Sequence, residues 1–264
     1  MMTSMVNGTK VAAFPKGKGS CPYCGNDVIA KCGSKVIWHW AHSVTQSCDP
    51  WWENETPWHR AWKAHWETEF QEVIRFDERT GEKHIADVKN KNGFVLEFQH
   101  SPMSSDELAS REQFYGEMAW VVNAKRFAAN IEFGARLPNP QLPASLDMRV
   151  RRIENSQEDF LFYRLSENEP GATMVEVHGS HRIRDFIETT HVGHRLFRWR
   201  NPRSVWFRAT RPVFFDFGGD VMWRLQRFNE HSEHCLAACS KAAFIGLYGG
   251  VVEAQPCGQP DLER

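Results

Sequence analysis

A strand–turn–strand pattern at residues 84–101 constrains this chain more than any other stretch of its sequence. The first strand carries Asp87 near its end, and the second strand carries Glu97 and Gln99. An Asn-Gly pair lies between the strands and favours a tight reversal, because both residue types tolerate positive φ. Glu97 and Gln99 are two residues apart and therefore share one face of a strand. The pattern predicts two carboxylates on paired strands, which suits a divalent metal and a positioned water.

Composition indicates a packed protein of one large domain or two modest ones. The chain has 264 residues, of which 41% are hydrophobic and 25% are charged, so it does not resemble a disordered chain. A net charge of −1 supplies no general attraction to nucleic acid, and binding of a polyanion therefore needs a local basic patch. No apolar run approaches the length of a membrane span or an export signal. We expect a cytoplasmic protein with no membrane partner.

Two closely spaced pairs of cysteine and histidine lie near the N-terminus in the pattern C-x2-C-x14-H-x2-H. The four residues are Cys21, Cys24, His39 and His42. Zinc takes four nitrogen or sulfur ligands in a tetrahedron, and two pairs separated by a short hairpin supply them. Residues 27–31 and 35–40 read as the strands of that hairpin. The pattern predicts a structural zinc knuckle, in which Cys32 or Cys48 is an alternative to one histidine. The other interpretation is reduced cysteines and surface histidines.

The elements around the hairpin follow the order helix, three strands, helix, strand. Thr56 followed by Pro57 predicts the start of the first helix, which we expect to run to about Phe70. The other predicted elements are a strand at Glu72–Phe76, a helix capped by Ser104 or Ser105, and a strand at Met118–Asn123. Polar residues on one side of the first helix either face the hairpin carboxylates or form a solvated face. These polar residues are Glu55, His59 and Lys63.

The C-terminal half carries weaker patterns. Residues 203–228 read as three strands and predict an antiparallel β extension. Their arginines alternate with aromatic residues. These side chains either contact a nucleic-acid strand, or the arginines keep an edge strand soluble while the aromatic residues pack in the core. The segment HSEHCLAAC, at residues 231–239, predicts a small helix with buried thiols or a second zinc site. We expect three regions: a tail and knuckle at 1–54, a core at 55–135, and a mixed region at 136–264.

The ordered set of motifs resembles the competence protein CoiA-like family, zinc-containing members of the PD-(D/E)XK nuclease superfamily. The resemblance covers about residues 20–125 and depends on the order of seven short segments rather than on any one of them. These segments are CPYC, HWAH, ETPWHRAWK, IADV, LEFQHSPMS, REQFY and WVV. The resemblance implies an α/β (α+β) fold with a restriction-endonuclease-like core, an N-terminal zinc knuckle and a C-terminal β-rich extension.

The resemblance also implies a role for each residue that matches the family pattern. Asp87 and Glu97 would hold Mg²⁺ or Mn²⁺, while Gln99 stands where the superfamily usually has a lysine. The remaining catalytic candidates are Glu55 and His59, the candidate substrate contacts are Arg111, Tyr115 and Lys63, and the zinc ligands are Cys21, Cys24, His39 and His42. Gln99 cannot carry charge, so the general base stays open among Glu55, His59, His100 and a second metal.

The expected function is metal-dependent hydrolysis of phosphodiester bonds in DNA, single-stranded or branched, during recombination, uptake or defence. Nucleic acid is then the main partner, alongside other proteins of DNA processing. One alternative is a nucleic-acid-binding adaptor that keeps the nuclease fold with a weak or inactive site. Another is an RNA nuclease, since the same type of metal site cleaves either polymer.

Overall fold

The structure is a computed structural model, and it describes residues 1–34, 37–43, 49, 51, 55–78, 80–153 and 158–252. The chain divides into two compact units. The first comprises Met1–Ser101, Gln113–Met118 and the segment from Ala242 onward, and the second comprises Pro102–Glu112 and Ala119–Lys241. Both α-helices and β-strands are present, and strands predominate, so the fold is mixed α/β.

The first unit begins with a five-stranded antiparallel sheet in the order β2-β1-β3-β4-β5. Its strands are β1 (Thr3–Val6), β2 (Thr9–Ala12), β3 (Lys18–Ser20), β4 (Asp27–Lys31) and β5 (His39–His42). Met1, Cys21, Val28 and Trp40 form its buried core. β4 confirms the strand predicted at residues 27–31. The strand predicted from residue 35 begins outside the described residues, and β5 extends beyond its predicted end at residue 40.

A helix and a three-stranded antiparallel meander follow in the first unit. They are α1 (Pro57–Lys63), a 3-10 turn (Thr68–Phe70), β6 (Gln71–Phe76), β7 (Lys83–Lys89) and β8 (Val95–Gln99). β7 lies between β6 and β8, and every residue of β8 is buried. Gly93 has a φ of +83° at the reversal between β7 and β8. This confirms the hairpin and the need for glycine at its turn.

Helix α1 starts where the sequence predicts but ends earlier. The Thr56 side chain accepts the His59 N–H, and a proline occupies the first turn, as expected of a capped helix. The helix was expected to reach about Phe70. Instead, the N–H groups of His65 and Trp66 bond to carbonyls three residues back, which tightens the last turn. The Trp66 indole also donates to the Tyr248 carbonyl, so tertiary contact ends the helix.

The rest of the chain supplies most of the second unit. The elements of this part of the chain are α2 (Ser105–Tyr115), β9 (Met118–Asn123), β10 (Ile131–Arg136), α3 (Pro143–Leu146), β11 (Met148–Arg152), β12 (Phe160–Arg164), β13 (His178–Gly179), α4 (Arg184–Thr190), β14 (His194–Trp199), β15 (Val213–Asp216), β16 (Val221–Arg227), β17 (His234–Ser240) and α5 (Lys241–Leu247), with 3-10 turns at Lys125–Asn130, Ser180–Ile183 and Ser204–Arg208. The last residues of α2 and nearly all of α5 belong to the first unit. Ser104 Oγ accepts the Glu107 N–H and caps α2 as predicted. No helix in the described ranges is long and apolar enough to cross a lipid bilayer.

Six strands of this unit follow the order β10-β14-β17-β16-β15-β9, with β9 and β15 parallel, while β11-β12-β13 form a separate antiparallel sheet. The antiparallel β extension is confirmed, but two local predictions are wrong. The first strand expected after residue 203 is the 3-10 turn at Ser204–Arg208. The expected helix at residues 231–239 is largely β17, because the last six residues of this segment pair with β16. Strand pairing thus overrides a local helical spacing.

Candidate functional site

Asp87 and Glu97 lie on the neighbouring strands β7 and β8, as the sequence predicts. The register pairs Val88 with Leu96, so Asp87 and Glu97, the next residues along the two antiparallel strands, lie opposite each other. Glu97 Oε1 accepts the Asp87 N–H at 3.1 Å, and Asp87 Oδ2 accepts the Phe98 N–H at 2.9 Å. Each carboxylate is thus held by the backbone of the other strand, which fixes both acids relative to the hairpin.

The ammonium of Lys63 contacts three carboxylates. Lys63 Nζ lies 3.0 Å from Glu55 Oε2, 3.1 Å from Asp87 Oδ1 and 3.6 Å from Glu72 Oε1. The Lys63 side chain is only 3% exposed, so its charge needs partners of opposite sign. Among the residues proposed from sequence, the structure brings Glu55, Lys63 and Asp87 into direct contact.

Glu72 is the member of this cluster that sequence reasoning missed. It lies between Gln71 and Val73 on β6, at the position opposite Asp87 in the β6–β7 register. Its carboxylate accepts two backbone N–H groups, from Met2 at 2.9 Å and Thr3 at 3.1 Å, and the Thr3 hydroxyl at 2.7 Å. Its φ of +46° is unusual for a non-glycine residue and stores backbone strain. The sequence signal that could have identified Glu72 is that it is an acid within a strand predicted to pair with the strand of Asp87.

Burial and neighbouring charges shift the pKa values of the cluster in different directions. Burial alone lowers the pKa of Lys63, but Asp87, Glu72 and Glu55 outweigh burial and hold that pKa above its usual range. Burial opposes ionisation of Glu72, yet Lys63, the N-terminal amine and hydrogen bonds lower its pKa to about 2. Burial raises the pKa of Glu55, and the charges of Glu72 and Asp87 raise it further against the effect of Lys63. Glu55 therefore accepts a proton more readily than an exposed glutamate does, and Glu72 less readily.

Glu55 also carries an unsatisfied oxygen. Its Oε1 atom is buried and has no hydrogen-bond partner in the part of the chain that the structure describes. Its side chain is 6% exposed, so solvent compensates little of this loss. A buried acceptor without a donor is costly and calls for a functional explanation.

His59 is buried, and both of its ring nitrogens are engaged. The Phe98 carbonyl lies 2.7 Å from Nε2 and can only accept, so Nε2 carries a proton. Nδ1 lies 2.8 Å from the Thr56 hydroxyl. Burial lowers the pKa of His59, which favours the neutral ring with Nδ1 as acceptor. This arrangement ties α1 to β8 and leaves His59 poorly suited to take a proton from a substrate.

The other residues predicted for this site have defined surroundings. Gln99 is buried, and its amide donates to the Ser101 carbonyl and hydroxyl at 3.2 Å each. Tyr115 is buried and packs against Trp51 and Phe114. Arg111 belongs to the second unit, where it pairs with Glu107 at 2.5 Å. Substrate contact by Arg111 and Tyr115 stays a prediction.

Asp49 and His84 are two further residues that sequence reasoning missed, and their contact attaches the segment before α1 to the hairpin. Asp49 is 2% exposed and lies 2.9 Å from Nδ1 of His84, which is on β7. Its other oxygen accepts the Ile85 N–H at 2.8 Å. These hydrogen bonds outweigh the effect of burial and lower the pKa of Asp49. Trp51 stacks on the His84 ring, so residues 49 and 51 are attached to the strand that carries Asp87.

Cys21, Cys24 and His42 form a group that could hold a metal ion such as zinc. One ligand atom from each lies within 4.8 Å of the others, and Cys24 Sγ is 3.3 Å from His42 Nε2. The Cys21 carbonyl accepts the Gly25 N–H, and Gly25 has a φ of +75°, so the knuckle turn depends on glycine. Two thiols and an imidazole are ligands that zinc prefers. Three of the four predicted ligands are therefore together.

His39 is not a member of this group within the described residues. His39 and His42 both lie on β5 and are three residues apart, so their side chains leave opposite faces of the strand. His39 Nδ1 instead donates to the Ile37 carbonyl at 2.8 Å. Strand geometry thus separates two histidines whose spacing alone suggested one site. Cys48, an alternative ligand, lies outside the described residues.

Residues 10–50 match the family model described as "Competence protein CoiA, N-terminal domain". The matched segment contains the Cys21–Cys24–His42 group. No curated protein and no solved structure matches the chain. The match of residues 10–50, together with the metal-ligand group within them, supports a CoiA-like family for this protein.

Proposed function

We propose that the protein is a metal-dependent nuclease with its catalytic centre at Asp87 and Glu97. The observation that carries this proposal is the pair of carboxylates fixed face to face on β7 and β8, with Glu55 and Lys63 beside them. Carboxylates that are held by backbone N–H groups keep their positions when charge develops nearby. The restriction-endonuclease-like core and the action on DNA belong to the same proposal.

The residues present fit a hard divalent cation. Glu55, Glu72, Asp87 and Glu97 supply four carboxylates, and the ammonium groups that act on them are Lys63, the N-terminal amine and Lys10. Mg²⁺ and Mn²⁺ prefer oxygen ligands, and the buried Glu55 Oε1 has no partner among the described residues. When bound by Asp87 and Glu97, such a cation would stabilise charge on the phosphate and lower the pKa of a water.

The other residues of the site have separate proposed roles in charge balance, proton transfer and positioning. Lys63 supplies the positive charge that Gln99, in the usual lysine position, does not, and it holds Asp87 and Glu55 in place. Glu55 is the proposed proton acceptor for the attacking water, because burial raises its pKa and one of its oxygens is not used by the described residues. The Gln99 amide orients rather than deprotonates. His59 is a positioning residue that fixes α1 against β8.

The Lys63 contacts also favour a second candidate function. An ammonium that already partners three carboxylates reduces the advantage of a bound cation. Combined with Gln99 in place of lysine, this is the expected composition of a nucleic-acid-binding adaptor with a weak or inactive site.

A cleavage screen separates the two candidates. The full chain is incubated with single-stranded, duplex and branched DNA and with RNA, each with Mg²⁺, Mn²⁺ or EDTA. The nuclease proposal expects metal-dependent cleavage that falls about 100-fold or more in Asp87→Asn and Glu97→Gln. Glu78→Gln, an exposed acid in the turn before β7, is the matched control and is expected to retain cleavage.

Cleavage that persists unchanged in Asp87→Asn and Glu97→Gln would refute the site assignment. Absence of cleavage on every substrate with either metal would favour the adaptor. Cleavage confined to RNA would replace DNA as the substrate.

We further propose a structural zinc at Cys21, Cys24 and His42. Its ligands belong to the small N-terminal sheet, whose core has only a few large side chains. A metal that crosslinks β5 to the turn before β4 would stabilise such a sheet.

A further inference from the structure

The second unit contains a cavity that is unrelated to the acidic cluster. Its volume is about 440 Å³, and its walls come from β11, β14, the 3-10 turn at Ser204–Arg208, β16 and the start of β17. This volume lies within the range of small-ligand sites. It fits one nucleotide-sized group rather than an extended polymer segment.

The charge of the lining is predominantly positive. Among the described residues, Arg151, Arg152 and Arg227 line the cavity together with one carboxylate, Glu233. The Arg151 side chain is 72% exposed, and its ion pair with Glu233 is long, at 3.9 Å. Arg227 donates to the Ser232 carbonyl at 3.0 Å, which holds its guanidinium at the rim. Over the described lining, guanidinium charge therefore exceeds carboxylate charge, in a chain whose net charge is only −1.

Aromatic rings form another wall of the same cavity. The ring of Phe207 contacts those of Trp199 and His234, with centroid distances of 5.7 Å and 4.9 Å. Burial and the charge of Arg227 lower the pKa of His234, so its ring tends to stay neutral and can take part in stacking. Trp199 Nε1 is a buried donor without an acceptor among the described residues. Rings beside guanidinium groups are the combination with which proteins hold a base and its phosphate.

We propose that this cavity binds a nucleotide unit, with the phosphate at Arg151 and Arg227 and the base against Phe207. A nucleic-acid strand and a free nucleotide both present the same group, a phosphate linked through a sugar to an aromatic base. The pocket lies wholly within the second unit, and binding there does not require cleavage at Asp87.

Binding is tested with the full-length Asp87→Asn chain in EDTA, so that cleavage does not contribute. Fluorescence anisotropy follows a labelled oligothymidylate of about ten nucleotides as a function of salt. Arg151→Gln is expected to weaken binding about 5-fold and to reduce the salt slope by about 0.7. Phe207→Leu is expected to weaken it about 5- to 100-fold, whereas Phe207→Tyr keeps the ring and the affinity.

Arg224→Gln is the matched control, because Arg224 is an exposed arginine on β16 that does not line the cavity. It is expected to stay within about 2-fold of the parent chain. Circular dichroism checks that each variant is folded, and the exposure of Arg151 makes its substitution safe for folding.

Competition distinguishes the two sources of ligand. Displacement by thymidine 5′-monophosphate at an affinity equal to that of the oligonucleotide assigns the cavity to a free nucleotide, and much weaker displacement assigns it to a strand. Both results support the inference. Unchanged binding in Arg151→Gln and Phe207→Leu would overturn it. The inference would also be overturned if dextran sulfate displaced the labelled oligonucleotide as well as an unlabelled oligonucleotide does and Phe207→Leu had no effect. A surface that binds any polyanion would then explain the binding.

Discussion

Lys63 Nζ lies 3.1 Å from Asp87 Oδ1, and this contact joins helix α1 to the hairpin that carries both predicted acids. The same ammonium lies 3.0 Å from Glu55. Under the proposed function, Lys63 on α1 supplies the positive charge that Gln99 on β8 lacks. Lys63 is thus a counter-charge that Glu55, Glu72 and Asp87 share.

Replacement of Lys63 by methionine is expected to destabilise the protein by about 3–5 kcal/mol at pH 7, because three carboxylates, two of them almost fully buried, lose a counter-charge. The loss should shrink at pH 4.5, where the carboxylates can take up protons. Urea unfolding followed by tryptophan fluorescence measures both values. Lys91→Met, at an exposed turn position, is the control and should change stability by less than about 0.5 kcal/mol. Equal stability of the two variants would contradict the central role of Lys63.

Glu72 is expected to control part of the acid stability. Its pKa in the folded protein is about 2, below its ordinary value of 4.5. A lowered carboxyl pKa contributes stability above the unfolded-state value, and that stability is lost as pH falls from 4.5 towards 2. The contribution is about 3 kcal/mol. Glu72→Gln should flatten the stability–pH curve in this window, while the exposed Glu69→Gln should not. Unfolding free energies measured at intervals between pH 2 and 6 decide the point.

Glu55 is expected to behave in the opposite way. Burial raises its pKa, so the folded protein binds its proton more tightly, and stability falls as pH rises from 4.5 through that raised pKa. Glutamine resembles the protonated form. Glu55→Gln should therefore be more stable than the parent at pH 8 and equally stable at pH 4, while losing any cleavage activity. Lower stability of this variant at pH 8 would show that the ion pair with Lys63 outweighs burial.

The metal-ligand group gives a prediction that separates two histidines. Protein prepared without chelator should contain about one zinc per chain, bound through thiolate and imidazole ligands. Cys24→Ser and His42→Gln should lose the zinc, and His39→Gln should retain it, because His39 leaves the opposite face of β5. Elemental analysis of each purified variant measures the content. Loss of zinc in His39→Gln would restore His39 as the fourth ligand.

Glu112 is expected to be a strong determinant of stability in the second unit. It is buried and accepts the Trp120 indole N–H, both the N–H and the hydroxyl of Thr210, and the Arg211 N–H. Glutamine can keep only part of these bonds, because its amide nitrogen cannot accept. Glu112→Gln should cost about 2–4 kcal/mol. The exposed Glu188→Gln provides the comparison in thermal and urea unfolding. A loss below about 0.5 kcal/mol would contradict this role.

Local chemistry determined the elements around the candidate site. The alternation of Asp87 and Glu97 with apolar residues, and a glycine at the reversal, were enough to predict the hairpin. Thr56 and Ser104 predicted two helix starts through capping. The Cys21–Cys24 spacing predicted a knuckle turn. Each of these signals depends on residues within a few positions of one another, which is why the sequence alone contains them.

Tertiary structure decided which residues meet. Glu72 joins the cluster through strand register and through the backbone of Met2 and Thr3, partners about 70 residues away. Pairing with β16 turned the helical spacing around Cys235 into a strand. The geometry of β5 removed His39 from the ligand group while keeping His42. Side-chain type and spacing limit what a site can contain, but the register of distant strands selects its members, because a shift of one residue moves a side chain to the other face.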